Sequence, residues 1–109
     1  MSKYKSARAT ATDISPEVKK VVYERDGGLC VICGMPGEPN MHFIRRSQDG
    51  LGIEENVVTG CKKCHSEYDD GKYRREHEAT IEKYLKSQYP NWDKSKLIYN
   101  KWAGFKFDK

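Results

Sequence analysis

Two pairs of cysteines carry the strongest chemical signal in this sequence. The pairs are Cys30 with Cys33 and, after the 27 residues 34–60, Cys61 with Cys64. A two-residue gap lets one tight turn present two sulfur atoms to the same ion, and four thiolates complete a tetrahedral site with no open position. The spacing therefore predicts a structural Zn²⁺ site. Disulfides and redox-active thiols are the alternative interpretations.

The length and composition of the chain explain why a metal would be needed. It has 109 residues, of which 37% are hydrophobic and 33% charged, and its mean hydropathy is −0.89. A chain this short and polar buries only a thin core, so the binding energy of an ion would add directly to folding stability. No segment has the apolar run of a membrane span or of a secretory signal, which disfavours disulfides. We expect one small zinc-stabilised domain.

Basic residues are concentrated at the two ends of the chain. The net charge is +4, residues 1–12 contain three basic residues and no acid, and residues 86–109 contain six lysines against two aspartates. This distribution permits a nucleic-acid partner without requiring one. Residues 1–12 are also small, polar and aperiodic, so we predict a flexible basic arm that precedes a single domain over residues 13–109.

The elements that position the cysteines follow from periodicity and from breaking residues. Ser15 and Pro16 predict the start of a helix that ends before Gly27. Two short apolar stretches, 41–44 and 57–59, flank a glycine-containing loop and predict a β-hairpin between the two cysteine pairs.

Helices dominate the expected structure beyond the second cysteine pair. A short helix is predicted over 61–70, and a longer one over 72–88 that Pro90 ends. The segment after residue 91 is too aromatic for a disordered tail, so we expect it to pack back on the body of the domain.

Three polar residues fall on the predicted hairpin and the helix after it. His42 lies in the first strand, Asn56 precedes the second, and His65 follows the last cysteine. The motifs are GLCVICG, MHFIRRSQDGLGIEENVVTGC and KKCHSEYDDG. Over residues 28–71 this sequence resembles the HNH endonuclease family, and in particular the small four-cysteine HNH proteins of bacteriophages and prophages. The resemblance extends weakly into YLKSQYPNWDKSKLIY.

The resemblance implies a fold, an activity and partners. The fold is α+β: a zinc-stabilised, treble-clef-like ββα-metal core over 28–71 with flanking helices and a helical, aromatic extension over 72–109. The activity is hydrolysis of DNA phosphodiester bonds, with Mg²⁺ or another divalent ion such as Mn²⁺ or Ni²⁺ at the catalytic site. The implied partners are DNA and phage DNA-packaging (terminase) proteins, and the implied location is the cytoplasm of a bacterial host cell.

The family pattern also implies roles for individual residues. His42 would be the general base, Asn56 would orient its imidazole or the loop, and His65 would be a ligand of the catalytic ion. Asp69 lies four residues after His65 on the predicted helix, so both side chains face the same way and could share that ion.

Each of these residues also has a structural interpretation. His42 could be an ordinary strand histidine, and His65 could donate to a zinc-bound thiolate. Asn56 could be only a turn residue, and Asp69 could simply end its helix. Two arginines near His42, Arg45 and Arg46, also allow a functional and a structural interpretation. They suit bidentate phosphate contacts but could simply form a solvated pair.

Position 41 departs from the family pattern. Nucleases of the family commonly place Asp or His directly before the base as a metal ligand, whereas this chain has Met41, whose thioether is a poor ligand for Mg²⁺ or Mn²⁺. Gly60 stands where an apolar residue is usual and is expected to loosen the local packing. The ion could be held by His65, Asp69, water and phosphate, or the site could be weak or degenerate. The alternative function is a non-catalytic zinc module that binds DNA or a protein.

Overall fold

Residues 6–100 are described by a computed structural model in which four helices surround a two-stranded antiparallel sheet. In chain order the elements are helix α1 (Ala7–Thr12), helix α2 (Pro16–Arg25), strand β1 (Glu38–His42), strand β2 (Val57–Gly60), helix α3 (Lys62–Asp69) and helix α4 (Arg74–Gln88). Two 3₁₀ turns, Arg46–Gln48 and Lys94–Leu97, follow β1 and α4. The prediction of an α+β fold is confirmed. Within the described residues, no helix is long and apolar enough to cross a bilayer.

The predicted helices after residue 15 are confirmed with small changes at their ends. Helix α2 begins where expected, because the Ser15 hydroxyl accepts a hydrogen bond from the Val18 amide and Pro16 occupies the first helical position. Helix α3 is capped by Cys61, whose sulfur accepts from the Cys64 amide. One of the four cysteines therefore also marks the start of a helix.

The hairpin is confirmed, but its first strand lies nearer the N-terminus than predicted. β1 pairs with β2 through Met41 opposite Val58 and His42 opposite Val57, and the ladder reaches back to Glu38 through an irregular step. Residues 43–44 lie beyond the end of β1. The Phe43 amide donates to the Asn56 carbonyl at 2.7 Å, and the Ile44 amide donates to the Asn56 side-chain oxygen at 2.8 Å.

Residues 7–12 form helix α1 instead of a flexible arm. The hydroxyl of Ser6 caps the helix, Thr12 is buried, and Arg8 forms an ion pair with Asp49. The amide of Gly52 donates to the carbonyl of Ala11, at 3.0 Å between nitrogen and oxygen. The contacts with Asp49 and Gly52 are polar and join residues 41 positions apart, so apolar periodicity could not reveal them. Residues 1–5 lie outside the described part.

The core is formed where α3, α4 and the last described segment cover the hairpin. The aromatic ring of Trp92 packs edge-on against Phe43 at 5.7 Å between centroids. The predicted return of the tail is thus confirmed for residues 91–100, while Trp102, Phe105 and Phe107 fall outside the described residues. The buried core side chains are Met41, Phe43, Ile44, Val58, Tyr68, Ile81, Leu85 and Leu97.

A buried polar cluster around Arg25 joins α2 to the sheet and to α4. The Arg25 guanidinium binds Asp26 at 2.7 Å and donates to the carbonyls of Glu54 and Val57, each at 2.8 Å. The Tyr84 hydroxyl donates to the same Asp26 carboxylate at 2.5 Å. Because the Asp26 side chain is wholly buried, its charge depends on these partners.

Replacing Arg25 should therefore destabilise the domain. Without its guanidinium, Arg25→Ala leaves an uncompensated carboxylate in the interior, and we expect a loss of about 3–5 kcal/mol in the free energy of unfolding. The measurement is urea denaturation of the zinc-loaded protein. The matched control is Arg75→Ala at an exposed position of α4, which should stay within about 0.5 kcal/mol of wild type. Equal stability of the two variants would contradict the role given to this cluster.

Candidate functional site

The first candidate site is the cluster of four cysteines. Their sulfur atoms all lie within 4.8 Å of one another, and those of Cys33 and Cys61 are 3.5 Å apart. All four side chains are free thiols, and they come from the loop after α2 and from the start of α3. Four sulfurs grouped in this way are positioned to hold a metal ion and are compatible with structural zinc.

The backbone around the cysteines favours the thiolate form of Cys30 in particular. Gly34, at φ +82°, makes the tight turn that brings Cys33 back beside Cys30, and the Gly34 amide donates to the Cys30 carbonyl at 2.9 Å. Burial opposes ionisation of Cys30, but amide donors outweigh it and lower the pKa of its thiol to about 7. Burial and the neighbouring sulfurs raise the pKa of Cys64. A bound cation would reverse that repulsion.

The second candidate site is a cleft of about 860 Å³ beside strand β1. Its walls are the segment that joins α1 to α2, strand β1 with the turn after it, and helix α3. It brings together five of the residues predicted to act on DNA: His42, Arg45, Arg46, His65 and Asp69. The sixth, Asn56, does not line it.

The hydrogen bond of His42 fixes which ring nitrogen can act as a base. Its Nε2 lies 2.8 Å from the carbonyl oxygen of Thr12. A carbonyl only accepts, so Nε2 carries the proton and Nδ1 keeps its lone pair in the neutral ring. Burial, helped by the charges of Arg46 and His65, lowers the pKa of His42 below its ordinary value of 6.5. The imidazole is therefore neutral at pH 7 and able to accept a proton.

His65 and Asp69 offer a nitrogen and a carboxylate oxygen on one face of α3. Their Nε2 and Oδ2 atoms are 3.3 Å apart, and both side chains are partly exposed. Imidazole and carboxylate together suit a divalent ion such as Mn²⁺, Ni²⁺ or Mg²⁺. No third residue completes this pair, because the described residues form tight groups of three or more potential ligands only around Cys64. An ion here would take its other ligands from water and phosphate.

Asn56 holds the loop between the strands. It is fully buried, its Oδ1 accepts from the Ile44 amide at 2.8 Å, and its Nδ2 donates to the carbonyls of Ile44 and Leu51 at 3.1 and 2.8 Å. All three partners are loop backbone groups, and none belongs to His42. Asn56 was predicted to orient either the imidazole of His42 or the loop. Its hydrogen bonds support a role in orienting the loop.

Met41 faces the core and not the cleft. Consecutive residues of a strand point to opposite faces, so Met41 lies on the side away from His42 and is fully buried. A Cβ at Gly60 would lie only 2.7 Å from the Met41 sulfur. Gly60 therefore makes room for Met41, and the expectation that it loosens the packing is wrong. An acidic residue at position 41 would bury a charge and supply no ligand to the cleft.

Both arginines of the cleft already have partners within the chain. Arg45 donates from one Nη to the carbonyls of Tyr68 and Asp69, at 3.0 and 2.5 Å, and so caps the last turn of α3. Arg46 forms an ion pair with Asp13. Their predicted contacts with phosphate would have to compete with these bonds.

Several cleft residues were not singled out from the sequence. Asn40 shares the strand face of His42, which the alternation of side chains along a strand could have indicated. Asp13, Ser15 and Lys19 form the opposite wall. Their contribution depends on how α1 and α2 fold over the hairpin, and no local pattern predicts that.

Comparison with known proteins adds no assignment. No protein-family model matches the chain, and none of the curated proteins matches it.

Proposed function

We propose that this protein is a metal-dependent endonuclease of the HNH type that hydrolyses DNA phosphodiester bonds. The observation that carries the proposal is one cleft that combines the His65–Asp69 pair with a half-buried neutral imidazole, whose Nδ1 has no hydrogen-bond partner among residues 6–100. In this proposal β1, β2 and α3 form the ββα-metal core, and the four cysteines hold Zn²⁺. The resemblance to phage and prophage proteins extends the proposal to a phage origin and to DNA-packaging (terminase) proteins as partners.

The chemistry of His42 follows from the hydrogen bond between its ring and the Thr12 carbonyl. Nδ1 accepts a proton from a water molecule, and the resulting hydroxide attacks phosphorus as the bond to the 3′ oxygen breaks. The Thr12 carbonyl stabilises the imidazolium because it already accepts from Nε2–H. A divalent ion held by His65 and Asp69 would stabilise negative charge on the phosphoryl group and the leaving oxygen. The leaving 3′ oxygen takes a proton from solvent water, so the products carry 5′-phosphate and 3′-hydroxyl ends.

The same mechanism makes the N-terminal segment part of the active site. A Cβ at Gly52 would lie 2.0 Å from the Asp13 carbonyl oxygen, so Gly52→Ala must force the Gly52 loop and the segment that carries the Thr12 carbonyl apart. Since a displacement of about 1 Å can cost up to about 100-fold in rate, we expect kcat to fall roughly 10–100-fold while the Kd for DNA stays within about twofold.

A matched glycine separates this effect from general strain. Gly27→Ala meets no atom within 4 Å, so only its left-handed backbone is disturbed. Gly27→Ala should keep the wild-type kcat when both variants are assayed on the same duplex. A wild-type kcat in Gly52→Ala would contradict the positioning role of the segment.

The experiment that tests the proposed function is a scan of divalent ions with purified, zinc-loaded protein. Supercoiled plasmid is incubated with Mg²⁺, Mn²⁺ or Ni²⁺, and the appearance of nicked and linear forms is followed. Cleavage that requires one of these ions supports the proposal. Binding to labelled duplex without cleavage in any ion would instead support the second candidate, a non-catalytic zinc module. That candidate is favoured by the burial of Met41, which leaves the cleft without the ligand that related nucleases take from this strand.

A further inference from the structure

The cationic side chains that line the cleft differ in one respect: some already bind other groups among residues 6–100 and one does not. Arg45 is bound to the carbonyls at the end of α3, and Arg46 is paired with Asp13. Lys19, on the exposed side of α2, also lines the cleft. Among residues 6–100 no carboxylate is paired with its ammonium group, unlike those of Lys63, Lys86 and Lys94.

We propose that Lys19 contacts a backbone phosphate of the nucleic acid in the cleft and is the main electrostatic anchor of the wall opposite β1. Resting on the proposed function, this inference adds a substrate contact that the motif residues do not include. An unpaired ammonium group gives up no ion pair when a phosphate arrives, whereas Arg46 must leave Asp13 and Arg45 must leave the end of α3. Phosphate contacts of this kind fix the register of the strand and release counterions.

The position of Lys19 also fits a DNA strand that passes His42, the proposed general base. Its helix turn is adjacent to Ser15 and Pro16, which line the same cleft, and His42 lies on the facing wall. A strand whose scissile phosphate lies at His42 would place another of its phosphates beside α2. Lys19 would therefore act in binding and register, and its loss should raise KM without changing kcat.

The neighbouring lysine provides a matched control. Lys20 is also exposed on α2 but does not line the cleft. We would measure the affinity of wild type, Lys19→Ala and Lys20→Ala for a fluorescein-labelled 20-base-pair duplex by anisotropy, without added divalent ion, from 25 to 300 mM KCl. For Lys19→Ala we expect about a 5–10-fold weaker Kd at low salt, and a slope of log Kd against log salt smaller by about one.

The outcomes distinguish this inference from the proposed catalysis. Retention of wild-type affinity by Lys20→Ala, with a loss in Lys19→Ala, supports the inference even if no cleavage is detected. An equal loss of duplex affinity in both variants would mean that Lys19 contributes only to the general positive charge, and it would overturn the proposal. No duplex binding by wild type at the lowest salt would overturn it as well. If cleavage occurs, Lys19→Ala should show a raised KM at unchanged kcat, and a kcat effect alone would contradict the assignment.

Discussion

Removal of the metal from the four-cysteine cluster is expected to unfold the domain. Structural zinc contributes an apparent free energy of about 10–16 kcal/mol in small domains, and the whole stability of a domain is only about 5–15 kcal/mol. The cluster joins the loop after α2 to the start of α3, and Cys61 also caps that helix. Without an ion, the neighbouring sulfurs and burial oppose ionisation of Cys64. We therefore expect the apo chain to lose most of its helical signal.

The experiment pairs metal analysis with circular dichroism. Purified protein should contain one zinc per chain, and removing it with a strong chelator under reducing conditions should abolish the cooperative thermal transition. Cys64→Ser should behave like the chelated protein. Met35→Ser is the control, because Met35 lies in the same loop, is 61% exposed and supplies no ligand. A chelated chain that keeps the wild-type transition would contradict the structural role of the metal.

Replacement of His42 should produce the largest loss of activity. A positioned general base contributes about 10²–10⁴-fold to the rate, so His42→Ala should lower the single-turnover cleavage rate by that factor. DNA affinity and zinc content should remain close to wild type, because the ring is half-buried and its one partner is the Thr12 carbonyl. His77→Gln is the matched control. His77 pairs with Glu67 and does not line the cleft, so that variant should keep the wild-type rate.

Chemical rescue separates a base from a structural histidine. In His42→Gly, added imidazole can enter the space that the side chain leaves, and millimolar imidazole with Mg²⁺ should restore part of the lost rate. A merely structural role would show a lower stability and no dependence of the rate on imidazole. A wild-type rate in His42→Gly without imidazole would contradict the mechanism.

The elements that local chemistry determines were predictable from the sequence. The cap at Ser15 and Pro16, the hairpin between the cysteine pairs and the four-sulfur cluster all follow from patterns within a few residues, and the structure contains each of them. The joint placement of His42, His65 and Asp69 in one cleft was expected from their motif and helical spacing.

The remainder depends on contacts between distant segments. Helix α1 was missed because its stability comes from Arg8 with Asp49 and from Ala11 with Gly52, which no periodicity encodes. The same folding-over of the N-terminus gives His42 its hydrogen-bond partner. Met41 was placed in the predicted strand and treated as a missing ligand, whereas its side chain fills the core against Gly60. The face of the sheet on which Met41 lies follows from the orientation of the strand and not from the residue type.

The proposed nuclease activity, with His42 as its general base, is tested by the nicking of supercoiled plasmid. This experiment compares wild type with His42→Ala. Both proteins are first matched for zinc content and for duplex affinity, and the assay uses the ion that best supports wild-type cleavage. We expect ion-dependent nicking by wild type that falls at least about 100-fold in the variant. Equal nicking by the two proteins, or none by wild type with Mg²⁺, Mn²⁺ or Ni²⁺, would contradict it.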